Sequence, residues 1–416
     1  MVAVELGSRD ASLGGVDATR ARAFNRSVVL ARIKSHGPTS RAMIGRSTTL
    51  AKATVSVIVD ELVASGLVVE VGVGASSKQG GRPPILLQYN GRSELLVGVH
   101  VGVQRTTVVV ATGAGEELVR RSTATSRETP DAAISLLAGL VRAGLDDLGS
   151  GLAEVVAVAV CLPGLTDPGR GVCVFAPNLG WRDVPVMDLL AAELGTSVPI
   201  RVQNTTQAVA LAETLEGAGS GIKDVLLVYV GTGLGAAFVH DGMLLSGATG
   251  IAGELGHYAV PGGTRSCSCG KTGCLETLVS AHGIRDTVLS AVAAGADPPA
   301  GFSPTATTQD VARWAGEGDP VCTAAVEAAG EELGRVVAWA VTMLNPTTVI
   351  VAGGVADLGE LLLGPVRDAV RAFALPESVA ALEIRTGALG QEGKVRGAIL
   401  TALLTWQDAT ARSLGR

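Results

Sequence analysis

The stretch GIAGELGHYAVPGGTRSCSCGKTGCLE, residues 250–276, decides how the rest of this 416-residue chain is read. His257, Cys267, Cys269 and Cys274 follow one another as H-x9-C-x-C-x4-C, one imidazole and three thiols. Three of the chain's six cysteines fall within eight residues, and in a reducing compartment such crowding indicates metal binding before disulfides. Four donors of this kind complete a tetrahedral set for Zn2+ and leave no position for a catalytic water, so structural zinc is expected. Gly262, Gly263, Gly270 and Gly273 let the backbone wrap a small ion. Cys161, Cys173 and Cys322 stand alone and are expected in the core, and unpaired reduced thiols are the alternative for the cluster itself.

Outward from this segment the chain is apolar and poor in aromatics. Hydrophobic residues make up 47% and charged residues 17%, which excludes disorder as the default. With aromatics at 3%, the cores must be built from Val, Leu, Ala and Ile. From residue 95 onward, apolar strand runs at 96–103, 106–111, 155–161, 200–203, 225–230, 236–240 and 349–352 alternate with helical patterns at 132–148, 207–216, 324–344 and 394–410. That alternation predicts an α/β architecture. The chain opens without a basic segment followed by an apolar one, and it contains no uninterrupted apolar run of about 18 residues, so a cytoplasmic location is expected.

Charge is unevenly distributed. Residues 1–93 carry twelve Lys/Arg against six Asp/Glu, the remainder 21 against 33, and residues 20–59 hold eight basic side chains and no acidic one. A basic head on an acidic body suits a head that meets a polyanion, although a solvated helical face has the same signature. Phe24, Val28, Val29 and Ile33 recur at helical spacing, and His36-Gly37-Pro38 ends that helix. Thr39 or Ser40 caps a second helix to about Gly45, residues 46–50 form a turn, and 53–64 gives a third helix with Val55, Ile58, Val59 and Leu62 inward. Strands at 67–73 and 85–89 flank the polar segment 74–84.

Three helices, a hairpin and basic bias together make a winged helix-turn-helix, whose helix spacing alone would also fit a protein-interaction module. Thr49, Lys52, Thr54 and Ser56 are placed to reach base edges or phosphates, with Arg41 and Arg46 near the DNA backbone. Arg82, held extended before Pro83 in Gly80-Gly81-Arg82-Pro83-Pro84, suits an A·T-rich minor groove.

GIAGELGH (250–257) followed by CSCGKTGCLE (267–276), together with APNLGW (176–181), the Leu162-Pro163-Gly164 turn and the leading winged helix, resembles the ROK family of repressors, open reading frames and sugar kinases. The likeness covers about residues 20–416 and is to the repressor branch, of the xylose and N-acetylglucosamine type. It implies an actin-like, ribonuclease-H-like pair of α/β lobes. On that basis residues 1–20 are a flexible leader, 21–90 the winged helix-turn-helix, 95–205 plus 396–416 a smaller lobe, and 206–395 a larger lobe with the zinc site. Sugar hydroxyls would be met by Asn204, Glu254, His257 and Glu276 beside the Gly164 backbone. Carboxylates accept from vicinal hydroxyls, and His257 can hold zinc through one nitrogen while the other faces the sugar.

Two departures separate the chain from the family's kinases. Their Asn-Asp pair supplies a general base, whereas this chain has Asn204-Thr205, and a threonine hydroxyl has no basic form near neutral pH. Their Asp-x-Gly-x-Thr turn for Mg-nucleotide is here His100-Val101-Gly102-Val103-Gln104. No catalytic residue is therefore assigned. The expectation is a homodimeric or dimer-of-dimers repressor of sugar-metabolism genes, not an enzyme, which binds double-stranded operator DNA and is released by a sugar. An ATP-dependent sugar kinase or bifunctional kinase-regulator is the competing class, and an activator would share the architecture. Gly231-Thr232-Gly233-Leu234-Gly235 and Val351-Ala352-Gly353-Gly354-Val355 fit either a phosphate loop or a tight connection.

Overall fold

In the computed structural model the most apolar of the strand runs are covered on both faces. The structure describes residues 25–26, 28–30, 32–33, 37–48, 50–64, 67–74, 83–90 and 94–414. The expected leader, Phe24, Thr49, Arg82 and most of the segment between the head's two strands lie outside these residues. Two compact units divide the chain, residues 1–93 with 407–416 and residues 94–406.

The first unit contains α1 (Arg41–Thr48) and α2 (Lys52–Ala64), followed by β1 (Val68–Val73) paired antiparallel with β2 (Ile85–Tyr89). Val55, Ile58, Val59 and Leu62 are buried, as their spacing predicts, and so are Val29, Ile33, Ile44 and Leu87. Ser40 Oγ accepts from the Met43 amide at the start of α1. That helix continues past Gly45 to Thr48, where the Ser47 and Thr48 hydroxyls donate back to the Ile44 carbonyl, so Arg46 sits in a helix and not in the expected turn.

In the second unit β3 (Leu95–Val101), β4 (Arg105–Thr112) and β5 (Glu117–Ala124) form an antiparallel meander. The helix α3 (Pro130–Asp146) leads to β6 (Val155–Leu162), parallel to β3. A small antiparallel layer of β7 (Leu165–Asp167), β8 (Val172–Ala176) and β9 (Trp181–Val184) follows. Then come α4 (Val186–Leu194) and β10 (Ile200–Asn204), parallel to β6, giving the sheet order β10-β6-β3-β4-β5.

After α5 (Thr205–Glu216) the same moves recur. A meander of β11 (Asp224–Val230), β12 (Leu234–His240) and β13 (Met243–Leu244) opens a second five-stranded sheet. The helices α6 (Ala281–Ala293), α7 (Thr308–Gly316) and α8 (Pro320–Leu344) precede β14 (Thr348–Ala352), and α9 (Glu360–Phe373) precedes β15 (Glu383–Thr386). Both strands add in parallel, in the order β13-β12-β11-β14-β15. The last helix, α10 (Glu392–Leu414), returns to the first sheet.

The strand β6, VVAVAVCL, explains the pattern. Val158, Val160 and Leu162 pack in one core with Leu137 and Val141 of α3 and Leu190 of α4, whereas Ala157 and Ala159 pack with Ile399 and Ala402 of α10. Burial on both faces makes the run read as continuously apolar, and each buried Val or Leu contributes roughly 1.5–3 kcal/mol. The smaller side chains mark the face where α10 lies close. Among the described residues no helix is long and apolar enough to cross a membrane.

Candidate functional site

The parallel strands β3, β6 and β10 end on the same edge of their sheet, where ligand sites of α/β sheets form. A cavity of about 150 Å³ lies there, and Gly164, Asn204, Glu254, His257 and Glu276 all line it. Gly164 follows β6 with φ of +92°, and a side chain would collide with the Phe175 carbonyl and Ala176. Asn204 ends β10 and caps α5: its Oδ1 accepts from the Thr206 and Gln207 amides at 2.7 and 3.2 Å, and its Nδ2 donates to the Gly164 carbonyl at 2.8 Å. Its oxygen is committed to the helix, and Asn204 is first a brace that locks the two strand ends together.

The acids come from the other side. Glu276 opens the short helix Glu276–Val279 and its Oε2 accepts from the Leu234 amide at 2.9 Å. Glu254 follows Gly253, whose φ of +98° and carbonyl, accepting from the Ala236 amide at 2.7 Å, hold the loop against β12. Burial, and then the Glu276 carboxylate, raise the Glu254 pKa to about 7. His257 turns Nε2 toward Glu254 Oε2, 3.8 Å away, and Nδ1 toward Cys267 Sγ, 3.7 Å away. One ring nitrogen thus faces the cysteines and the other the acid that borders the cavity.

The donor atoms of His257, Cys267, Cys269 and Cys274 all lie within 4.8 Å of one another, and Cys269 Sγ is 3.6 Å from Cys274 Sγ. A tetrahedral N/S set around zinc has edges of about 3.3–3.8 Å, so the four residues fit a metal ion. Burial and the neighbouring thiols push Cys274 up to about 12, so a bound cation is what would hold it as a thiolate. Backbone bonds from Cys267 N to Lys271 O and from Gly270 N to Cys267 O shape the knuckle. Arg265, which the sequence reading passed over, anchors it by donating to the Thr277 and Gly283 carbonyls and to Thr287 Oγ1.

Other contributors were also missed. Gln207 is buried, accepts from Gln203 Nε2, and donates to the carbonyls of Gly250 and Ala252 at 3.1 and 3.2 Å, which ties α5 to the loop carrying Glu254. Its only sequence signal is a polar pair, Gln203 and Gln207, at a strand-to-helix junction. Lys394, at the start of α10, borders the cavity, donates to Gln391 Oε1 at 3.0 Å and lies 5.7 Å from the Tyr229 ring centre. Burial, and then the charge of Lys394, push the His100 imidazole down to about 3, so the ring is neutral at neutral pH. A second cavity of about 520 Å³ shares Tyr229, Thr232 and Lys394 with the first and extends to Gly354 and Arg285.

In the first unit Arg46 and Lys52 are exposed, and Thr54 and Ser56 are partly so. Arg41 Nη2 lies 2.8 Å from Asp60 Oδ1 and 3.8 Å from Glu70 Oε1, which ties it to α2 and β1. Thr49 and Arg82 are outside the described residues.

The family model described as ROK family matches residues 96–404. The xylose repressor of Caldicellulosiruptor bescii is 29% identical over 385 residues, covering 92% of this chain and 96% of the relative. The glucokinase of Halalkalibacterium halodurans is 33% identical over 307 residues, 72% of this chain and 92% of the kinase. Among solved structures, a ROK family transcriptional regulator, a homologue of the E. coli MLC protein, superposes with a TM-score of 0.80 at 26% identity, covering 95% of this chain and 99% of that one.

Proposed function

The chain belongs to the ROK family, and from that premise we propose that it is a DNA-binding transcriptional repressor of sugar-metabolism genes, controlled by a sugar bound in a cavity that does not phosphorylate it. The observation that carries this reading is the composition of that cavity. Glu254, His257 and Glu276 converge on it with groups suited to vicinal hydroxyls, while the residue after Asn204 is Thr205 and the end of β3 holds His100, so neither position offers a carboxylate base. The likeness to a full-length xylose repressor and to a ROK regulator, both spanning the head as well as the body, supports the same assignment.

The elements α1, α2, β1 and β2 are taken as the winged helix-turn-helix of residues 21–90. Arg46, Thr49, Lys52, Thr54 and Ser56 then face DNA at or near the start of the recognition helix, and Arg82, before Pro83, is the side chain assigned to a minor groove. Zn2+ held by His257, Cys267, Cys269 and Cys274 would serve as a structural crosslink. The four residues fix the loop and leave His257 Nε2 directed to the ligand side. Two copies of the chain present two heads to a pseudo-palindromic operator, and ligand binding between the lobes, residues 95–205 with 396–416 and residues 206–395, alters their fit. A sugar releases DNA only by its differential affinity for the two states, typically about 1–3 kcal/mol.

The competing reading, an ATP-dependent sugar kinase, draws on the glucokinase relative and on the second cavity. Selection of genomic DNA fragments by the purified zinc-loaded chain, alongside a coupled ADP-release assay with D-glucose, D-xylose and N-acetyl-D-glucosamine, separates the two. Enrichment of a discrete operator without ADP release is expected. Steady ADP release with no enriched sequence would overturn the repressor assignment.

A further inference from the structure

We propose that the exposed apolar strip of Leu245, Tyr258, Trp339, Met343 and Phe373 is the surface on which a second copy of this chain docks. The inference rests on the reading that two copies act together, and it names the face that joins them.

Helix α8 supplies the first observation. Its segment VVAWAVTML (336–344) turns Val336, Val337, Ala340 and Val341 into the core beneath the second sheet, so Arg335, Trp339 and Met343, four residues apart, share the opposite face. A helix face turned to solvent is ordinarily polar, yet Trp339 is 55% exposed and Met343 60%. The strip extends beyond the helix. Arg335 lies 4.5 Å over the ring of Phe373, which is itself 55% exposed at the end of α9. Trp339 and Met343 border a cavity of about 450 Å³, whose walls also include Phe238 of β12, Leu245 and Tyr258.

Area, charge and shape point to a second copy. Exposed hydrophobic residues scattered singly need no partner, but these five each leave about half of the side chain in solvent, on the order of 500 Å² in one strip. A homodimer interface of standard size buries about 800 Å² per partner, of which about 65% is apolar, so the strip matches the apolar share of one side. Beyond the head the chain carries 33 acidic against 21 basic side chains, and two such bodies repel one another over much of their surface. On the α8 flank of the strip the charges are instead one of each sign, Glu332 and Arg335, 3.6 Å apart, so this face is not repelled by a copy of itself. A two-fold contact requires one patch complementary to itself, and here projecting side chains, Trp339 and Met343, stand beside an apolar hollow. Gly253, Glu254 and His257 line both this hollow and the first cavity, so a docked copy and a bound ligand bear on the same loop.

Sedimentation velocity of the full-length, zinc-loaded chain over a micromolar dilution series tests this, and the wild-type chain is expected to sediment as a dimer. Trp339→Ala, a truncation at an exposed helix position, is expected to raise the dissociation constant about 30-fold or more. Trp339→Glu combined with Met343→Glu leaves only monomer, whereas Leu215→Glu, at an exposed apolar position of α5 outside the strip, keeps the dimer. Circular dichroism spectra verify that each variant is folded. A dimer that the Trp339 and Met343 variants leave intact, or that Leu215→Glu dissociates equally, overturns this assignment and leaves the two-copy reading standing. A wild-type chain that stays monomeric throughout the series overturns both.

Discussion

The two walls of the cavity are built differently. One is made of strand ends: His100 is the last residue but one of β3, Gly164 follows β6 and Asn204 closes β10, each backed by a sheet buried on both faces. The other takes Glu254 and His257 from a loop whose only described ladder contacts are the single bridges Ala259 to Cys274 and Ser266 to Thr272. A wall of strand ends inherits its geometry from the core. A wall of loop lacks that support, and the cluster of His257, Cys267, Cys269 and Cys274 is where a bound metal ion would crosslink it. The chemistry follows the same division, since the rigid wall carries His100 and Thr205 and the crosslinked wall carries the acids.

Loss of the crosslink should therefore produce the largest effect and confine it to one wall. Cys274→Ser is expected to lose the metal and to accelerate amide hydrogen exchange in residues 250–276 by on the order of 100-fold, while β3, β6 and β10 keep their protection. Equal acceleration in both walls would mean that the division drawn here is wrong.

A smaller effect should come from the brace between the walls. Gln207→Ala strips the Gly250 and Ala252 carbonyls of their donor and is expected to destabilise the protein by about 1–3 kcal/mol in urea unfolding, and to weaken sugar binding. Unchanged sugar affinity would show that the walls do not communicate through this side chain.

The smallest effect lies on the rigid wall and depends on pH. An unfolded His100 protonates near 6.5 and the folded one near 3, so between these values the unfolded state holds more protons and stability rises with pH. At pH 5.5 this group alone lowers stability by about 1 kcal/mol relative to neutral pH. His100→Gln should lose correspondingly less stability on acidification from pH 7.5 to 5.5, as measured by paired urea titrations. Identical losses in both proteins would place His100 in contact with solvent.

The rigid wall was also the more legible in sequence. The runs that became β3, β6, β11 and β14 announce themselves because both faces are covered, so nearly every residue is apolar. The edge strand β5, ELVRRSTA, was invisible for the opposite reason: it is half exposed, and Arg120 and Arg121 spend their charges on Glu392 and Asp147 across the surface. β15 is a four-residue edge strand, and α9 carries Pro365 in its interior, so neither offers a clear pattern. The recurrence of a meander followed by two parallel strands has no counterpart in sequence, because it resides in pairing order and not in residue spacing. At the site, the metal-type cluster could be written down from its spacing alone. Gln207, Arg265 and Lys394 could not, since each acts through partners distant in the chain.

The central claim is that occupancy of this cavity is reported to the DNA-reading head. Fluorescence anisotropy of a selected operator fragment, titrated with the zinc-loaded chain at fixed salt with and without a saturating sugar, tests it directly. The account predicts that the bound ligand weakens operator affinity by about 5- to 150-fold, and that DNA weakens ligand affinity by the same factor. Operator affinity unmoved by a ligand that demonstrably fills the cavity would contradict it.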